Sequence, residues 1–285
     1  LVFGSGSSVG TQLVTHPLVK KVAFTGSTEV GRRVAELAAQ HFKKVSLELG
    51  GSCPLIVSRH ANLDEAVKGA VRRTWRNMGQ VCIAINRIFV HQDVYDEFMA
   101  KFVAGTSKLT IANGLKKPDA DLGPMASADG LEKVREHIAD AVAKGATIAY
   151  GGDRPKGEEY EKGYFFTPTV LTEVTPQMQI MTEETFGPAV GVMPYRTLDE
   201  AVEYANATRY GLACYVYTDD LHEAHQFARR LQAGNIAINS PDAGVINAPY
   251  GGFKESGIGY EHGPEGLFEY LKAKHVRTRD FARAN

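Results

Sequence analysis

The sequence predicts an α/β fold on a mostly parallel sheet, and three observations carry that expectation. Short β-prone runs alternate with amphipathic helical stretches along the chain, glycine-rich turns sit at strand-to-helix junctions, and no period of about 20 to 50 residues suggests a solenoid or propeller. The 285 residues exceed the roughly 100 to 200 of one ordinary domain. Hydrophobic residues at 44% and charged residues at 23% exclude a disordered or collagen-like chain. The balance of 32 basic against 33 acidic residues, net charge −1, removes the overall basic excess of nucleic-acid or anionic-membrane binders. No apolar run approaches the roughly 20 residues of a membrane span.

The elements follow in order. Leu1 to Phe3 reads as the end of a buried strand, running through Gly4-Ser5-Gly6-Ser7-Ser8-Val9-Gly10 into a helical stretch to His16. Lys21 to Phe24 is a strand, and Glu29 to Gln40 is a helix whose apolar face carries Val30, Val34, Leu37 and Ala38. Lys44 to Leu49 is a further strand, closed by Gly50-Gly51. The alternation continues with strand Pro54 to Val57, helix Leu63 to Arg76, strand Arg87 to His91 and helix Val94 to Lys108. In the first of these helices Ala66, Val67, Ala70, Val71, Thr74 and Trp75 form the buried stripe, while Lys68, Arg72 and Arg73 face away. Thr197 to Glu200 fits a capping box, Asp220 caps a helix to Leu231, and strands Cys214 to Tyr217 and Ile236 to Asn239 complete a second α/β unit. Residues 113–126 and 151–167 read as solvated loops, and Glu269 to Arg279 as a lone strand that must join a distant edge or another subunit.

Chemistry points to a few junctions. Gly4-x-Gly6-x-x-x-Gly10 lets the backbone approach an anion at a helix start, although its spacing is not GxGxxG and, taken alone, a plain glycine turn is the better reading. Phe24-Thr25-Gly26-Ser27-Thr28 is a second such junction, and the pair makes a nucleotide more credible. Cys82, after the flexible Gly79 and polar Gln80, sits in a loop that a substrate can reach, whereas Cys53 and Cys214 lie in apolar strand patterns. Three widely spaced cysteines favour free thiols in a reducing compartment. Glu48 puts a carboxylate at the end of an interior strand, where it must be paired or carry a raised pKa. His222-Glu223-Ala224-His225 is not HExxH, and no metal site is expected.

Together Phe24-Thr25-Gly26-Ser27-Thr28, Leu47-Glu48-Leu49-Gly50-Gly51, Gly79-Gln80-Val81-Cys82, Glu184-Thr185-Phe186-Gly187-Pro188 and Pro249-Tyr250-Gly251-Gly252-Phe253-Lys254-Glu255-Ser256-Gly257 resemble the aldehyde dehydrogenase superfamily over nearly the whole chain. The resemblance implies an aldehyde dehydrogenase-like α/β fold: a parallel-sheet catalytic domain plus the C-terminal part of a Rossmann-like cofactor domain. Residues 1–49 would be the remnant of the dinucleotide-binding domain, 50–248 the catalytic domain that bears the nucleophile, and 249–285 a closing loop and oligomerisation strand. It implies NAD(P)-dependent oxidation of an aldehyde to an acid. Cys82 would attack the aldehyde to form a thiohemiacetal and then a thioester, its N–H would supply half of an oxyanion hole, and Glu48 would activate the hydrolytic water. Glu261 is similar to a second acid proposed as a proton relay. For the cofactor, Gly6 and Gly10 match the glycine loop, Gly26 and Ser27 the pyrophosphate contact, Leu49 the carboxamide contact, and Glu184 and Phe186 the pair that holds the nicotinamide ribose and ring.

Arg76, six residues before Cys82, resembles the carboxylate-binding arginine of succinate-semialdehyde dehydrogenases, which implies a ω-carboxylate substrate such as succinate semialdehyde; a neutral aldehyde and a helix-capping arginine stay open. The family's Lys-Ser is Ser52-Cys53 here and its Phe is Tyr250, departures expected to leave the central chemistry untouched. The family's polypeptide is longer, so the chain reads as beginning within a longer protein, and NAD is not distinguished from NADP. A cytoplasmic homodimer or homotetramer acting on a small-molecule aldehyde is expected. Transfer of the thioester to coenzyme A is disfavoured by Glu48, and the alternative of another class is a catalytically incomplete fragment that acts only in binding or oligomerisation.

Overall fold

The computed structural model describes residues 1–279. Two sheets organise them. Strands β1 (Lys21–Thr25) and β2 (Lys44–Glu48) run parallel, and β12 (Gly257–Ile258) closes β2 antiparallel, with Gly257 opposite Glu48. The larger sheet holds β3 (Cys53–Val57), β4 (Ile85–His91), β5 (Thr147–Tyr150), β6 (Thr169–Thr172), β7 (Ala189–Tyr195), β9 (Ala213–Tyr217) and β10 (Asn235–Ile238) in the order β10-β9-β3-β4-β7-β6-β5. Every pairing in it is parallel except β5 with β6. A small ribbon joins β8 (Tyr210–Gly211) to β11 (Phe253–Lys254), and Asn235 of β10 donates to Gly251 O, so the 249–258 segment touches both sheets.

Burial explains why the larger sheet stands in the middle. All residues of β3, β4 and β9 are buried, as expected of parallel strands covered on both faces. Helices α3 (Leu63–Trp75), α4 (Tyr95–Ser107), α5 (Ala128–Ala143), α7 (Leu198–Asn206) and α8 (Leu221–Arg230) cover it, with the short α6 (Gln179–Thr182) beside α5. Helices α1 (Thr11–Thr15) and α2 (Thr28–Gln40) lie with the smaller sheet, over a core of Val14, Val34, Ala38, Leu47 and Leu49, and α9 (Gly263–Phe268) follows β12. Thr197 caps α7 by accepting from Glu200 N, while the Glu200 carboxylate reaches back to Arg196 N.

Four expectations need correction. Leu1, Val2 and Phe3 form no strand and are exposed, because no partner strand lies beside them among the described residues. Glu269 to Arg279 forms no strand either. After α9 the chain turns, and Glu269 bridges Lys21 and Lys44, each at 3.2 Å, at the start of β1 and β2. Arg73 does not face away: it is buried, donates to Pro241 O, pairs with Asp242 and lies over the Tyr215 ring. Val30 is half exposed, because its side of α2 borders a cavity instead of the sheet. Helix α5 and strands β5, β6 and β7 were not anticipated from the sequence.

Among the described residues no helix is long and apolar enough to cross a membrane. The expected closing segment extends to residue 285, and its part from 280 onward lies outside the described residues.

Candidate active site

The turn before Cys82 is unusual backbone. Asn77, Met78 and Gly79 follow one another in the left-handed region, with φ of 52°, 59° and 68°. Asn and Gly tolerate that region and Met does not, so the buried Met78 holds local strain of order 1 kcal/mol. Gln80 locks the turn from both ends: its N–H and side-chain amide donate to Asn77 O, each at 3.1 Å, and its Oε1 accepts from Ala126 N at 2.9 Å. A Cβ on Gly79 would stand 2.3 Å from Gly187 O, so this glycine serves both the turn and a close approach. Beyond it Cys82 emerges half-buried, and its loop is held by Tyr215 Oη donating to Ile83 O and Cys53 Sγ donating to Cys82 O.

Cys82 lines a cavity of about 730 Å³ with Thr25, Gly26, Ser27, Leu49, Glu184 and Phe186. These residues come from the β1–α2 junction, the β2–β3 turn, the α3–β4 loop and the segment before β7, four junctions opening on one space. Ser27 caps α2, accepting from Val30 N at 3.3 Å. Glu184 Oε1 accepts from Gly51 N at 2.9 Å, and a Cβ on Gly50 would meet Glu184 Oε2 at 2.7 Å. The glycine pair therefore admits a carboxylate on one side. Phe186 holds φ of 51° with its ring half exposed.

Glu48 ends β2 buried, and its Oε2 has no hydrogen-bond partner. Burial pushes its carboxyl up to about 8, with the negative Glu261 adding to the rise. Such a group holds its proton at neutral pH and gives or takes it near that value. Burial, then the Glu184 and Glu48 carboxylates, push the Cys82 thiol up, against the N–H groups of Ile83 and Cys82 itself. Glu184 is also raised, by burial, while the Gly51 N–H opposes the rise. Cys53 and Cys214 are buried, free and raised chiefly by desolvation, as inert core thiols are.

The structure thus brings Gly26, Ser27, Leu49, Cys82, Glu184 and Phe186 together at one cavity, while Glu48 lies just before Leu49 at the end of β2, feels the charge of Glu261 and is itself felt at the Cys82 thiol. Gly6 and Gly10 border a neighbouring cavity of about 400 Å³ between α1 and α2, over Val22 and Phe24. Arg76 is exposed at the end of α3, in a groove towards α4, and does not line the Cys82 cavity. Among the described residues it has no ion pair.

Sequence reasoning missed Lys133 of α5, which lines the Cys82 cavity; its signal was an amphipathic period beginning after Ser127, which caps α5. It missed the buried pair beneath the Glu184 loop, where His137 Nδ1 lies 3.1 Å from Thr185 Oγ1. The two departures from the family pattern have these surroundings. Ser52 O accepts from the buried Arg87, Cys53 donates to Cys82 O, and the Tyr250 ring lies 5.5 Å from the His262 ring.

Comparison with known proteins places the chain in a family. The profile described as "Aldehyde dehydrogenase family" matches residues 1–276. The chain is 43% identical over 276 residues to 3-sulfolactaldehyde dehydrogenase of Pseudomonas putida, covering 97% of this chain and 56% of that protein. It is 42% identical over 279 residues to the NADP(+) succinate-semialdehyde dehydrogenase of Escherichia coli, with the same coverage. Among solved structures, betaine aldehyde dehydrogenase of Staphylococcus aureus in complex with NAD+ superposes with a TM-score of 0.93 at 39% identity, covering 97% of this chain and 55% of that one. The chain spans about half the length of the curated relatives it matches.

Proposed function

The chain belongs to the aldehyde dehydrogenase family, and from that membership we propose that it is the nucleophile-bearing part of an NAD(P)-dependent enzyme that oxidises an aldehyde to a carboxylic acid. The observation that carries the proposal is a reachable thiol, Cys82, on a cavity that Leu49 and Gly50 also line, directly after the buried, proton-holding Glu48 whose charge is felt at the thiol.

The residues present suit a nicotinamide dinucleotide. The N-terminus of α2 behind Ser27 can face a phosphate, Glu184 offers a fixed acceptor for ribose hydroxyls, and the Phe186 ring offers a flat face. Gly6 and Gly10 would serve the far end, in the adjoining cavity. When bound, the nicotinamide supplies the hydride acceptor.

Cys82, as the thiolate, adds to the aldehyde carbon. The S–C bond forms as the carbonyl pair moves onto oxygen, where the Cys82 N–H donates. After oxidation at that carbon, sulfur holds the acyl group as a thioester. Glu48 then takes a proton from water, the oxygen attacks the acyl carbon, and the thiolate leaves. Glu261, whose charge is felt at Glu48, would pass the proton onward.

We assign residues 1–49 to the cofactor-binding region, 50–248 to the catalytic region and 249–285 to closure and self-association. For the substrate, an Arg76 guanidinium with no ion pair among the described residues, six residues before Cys82, suits an aldehyde with a remote anionic group. Relatives named for sulfolactaldehyde, succinate semialdehyde and glutarate semialdehyde support that class.

The test is reduced-cofactor formation from succinate semialdehyde and from neutral aliphatic aldehydes with NAD and with NADP. Cys82→Ala is expected to lose turnover while still binding the dinucleotide in calorimetry. Normal turnover by that variant would refute the proposal.

A further inference from the structure

Cys82 stands at the corner of a turn. Ala84 N donates to Val81 O at 2.9 Å, enclosing Cys82 and Ile83. Both carbonyls inside the turn are held from outside it: Cys53 Sγ donates to Cys82 O at 3.5 Å, and Tyr215 Oη donates to Ile83 O at 2.8 Å. Tyr215 belongs to β9 and is fully buried. Burial pushes its phenol up, so it stays protonated and remains a donor.

The Arg73 guanidinium of α3 lies over the Tyr215 ring, 5.9 Å from its centroid. Arg73 is 5% exposed, and a cation buried that far needs a charge partner. It finds one in the loop after β10. Arg73 Nε donates to Pro241 O at 2.5 Å and Nη2 donates to Asp242 Oδ1, while Arg72 Nη2 donates to Asp242 Oδ2 at 3.1 Å. The base of that loop returns to the end of β9, where Asn239 accepts from Thr218 N and donates to Thr218 O, each at 2.9 Å. The loop, α3 and β9 are thus tied together, and the Tyr215 hydroxyl carries that bracing to the Cys82 turn.

We propose that Asp242, Arg73 and Tyr215 are positioning residues for Cys82: Asp242 holds the guanidinium, the guanidinium fixes the Tyr215 ring, and the phenol fixes the turn from which the sulfur projects. None of the three is among the described residues lining the Cys82 cavity, so their influence runs through the turn. This rests on the reading of Cys82 as nucleophile, but the readouts below need no turnover, so a failure of the proposed activity is a separate result.

Tyr215→Phe keeps the ring and removes the donor, and Asp242→Asn keeps the size of the side chain and removes its charge. Hydrogen exchange in the peptide that carries the Ala84 amide is expected to quicken about tenfold in the first variant and roughly threefold in the second, with β3 and β4 unchanged. The double variant is expected to match Tyr215→Phe alone, because Asp242 acts through that hydroxyl. Iodoacetamide alkylates the thiolate, forming a carbon–sulfur bond as iodide leaves, and mass spectrometry follows the Cys82 peptide apart from Cys53 and Cys214. Burial is the main cause that raises this thiol, so a loosened turn is expected to lower the alkylation midpoint by about half a pH unit. Turn exchange unmoved in either single variant, factors that multiply in the double variant, quickening spread equally over β3 and β4, or an alkylation midpoint fixed in both variants would each overturn the proposal.

Discussion

Gly51 and Cys82 are locked by the absence of a side chain: a Cβ on Gly51 would stand 2.3 Å from the Cys82 carbonyl oxygen. The glycine pair after Glu48 thus does two things at once. Gly51 gives its N–H to Glu184 and its empty face to the nucleophile loop. Gly51→Ala is expected to push the Cys82 loop aside, costing about 1–3 kcal/mol in urea unfolding. Turnover is expected to fall roughly a hundredfold through misplacement of the sulfur. An unchanged unfolding midpoint would show that the loop yields freely.

Much of this arrangement was legible in the sequence, because each motif is local. A strand, a glycine and a capping serine announce the Gly26–Ser27 junction, and an acid ending an apolar strand announces Glu48. What was not legible joins distant residues or breaks local rules. Strand β7 carries Gly191 and Pro194, which blur a strand pattern. Gly191 is needed because Met181 Sδ would stand 2.6 Å from its Cβ. Arg73 reads as a solvated charge until Asp242 is folded against it. Tyr250 reads as a lone change until the fold pairs its backbone with that of Glu261, eleven positions on. The tail after α9 shows the converse, a local alternation without a partner strand.

Thr185 and His137 support the Glu184–Phe186 loop from below. Both are buried, and burial, then Lys133, hold the imidazole below its usual range, so it is neutral at neutral pH. Thr185→Val leaves His137 Nδ1 unpaired, at an expected cost of about 1–3 kcal/mol. Calorimetry is expected to show dinucleotide binding weakened about tenfold, with the alkylation profile of Cys82 unchanged. Equal affinity in the variant would remove the pair from cofactor positioning.

Arg76 lies outside the Cys82 cavity yet close in sequence, so its influence should depend on the substrate's reach. Arg76→Ala is expected to raise KM for succinate semialdehyde by about tenfold, equivalent to ~1.4 kcal/mol. A neutral aliphatic aldehyde should keep its KM. Parallel changes for both substrates would point to helix capping at the end of α3 instead of recognition.

Glu48 joins catalysis to stability through one proton. Its carboxyl is raised from 4.5 to about 8 in the folded chain, so between those values the folded form binds a proton that the unfolded form has released. By linkage, its contribution to stability is complete below about pH 4.5 and is lost as pH rises through about 8. As a base it works in the opposite sense, because only the ionised form accepts a proton, and thioester hydrolysis should accelerate through about pH 8. Glu48→Gln separates the two effects. The variant is expected to lose this part of the fall in unfolding free energy above neutral pH. It should also show a first-turnover burst of reduced cofactor followed by hydrolysis about 10²–10⁴-fold slower, with the inflection near 8 gone from the steady-state profile. A variant that keeps that inflection would assign the titration to another group, and one without a burst would take Glu48 out of the hydrolytic step.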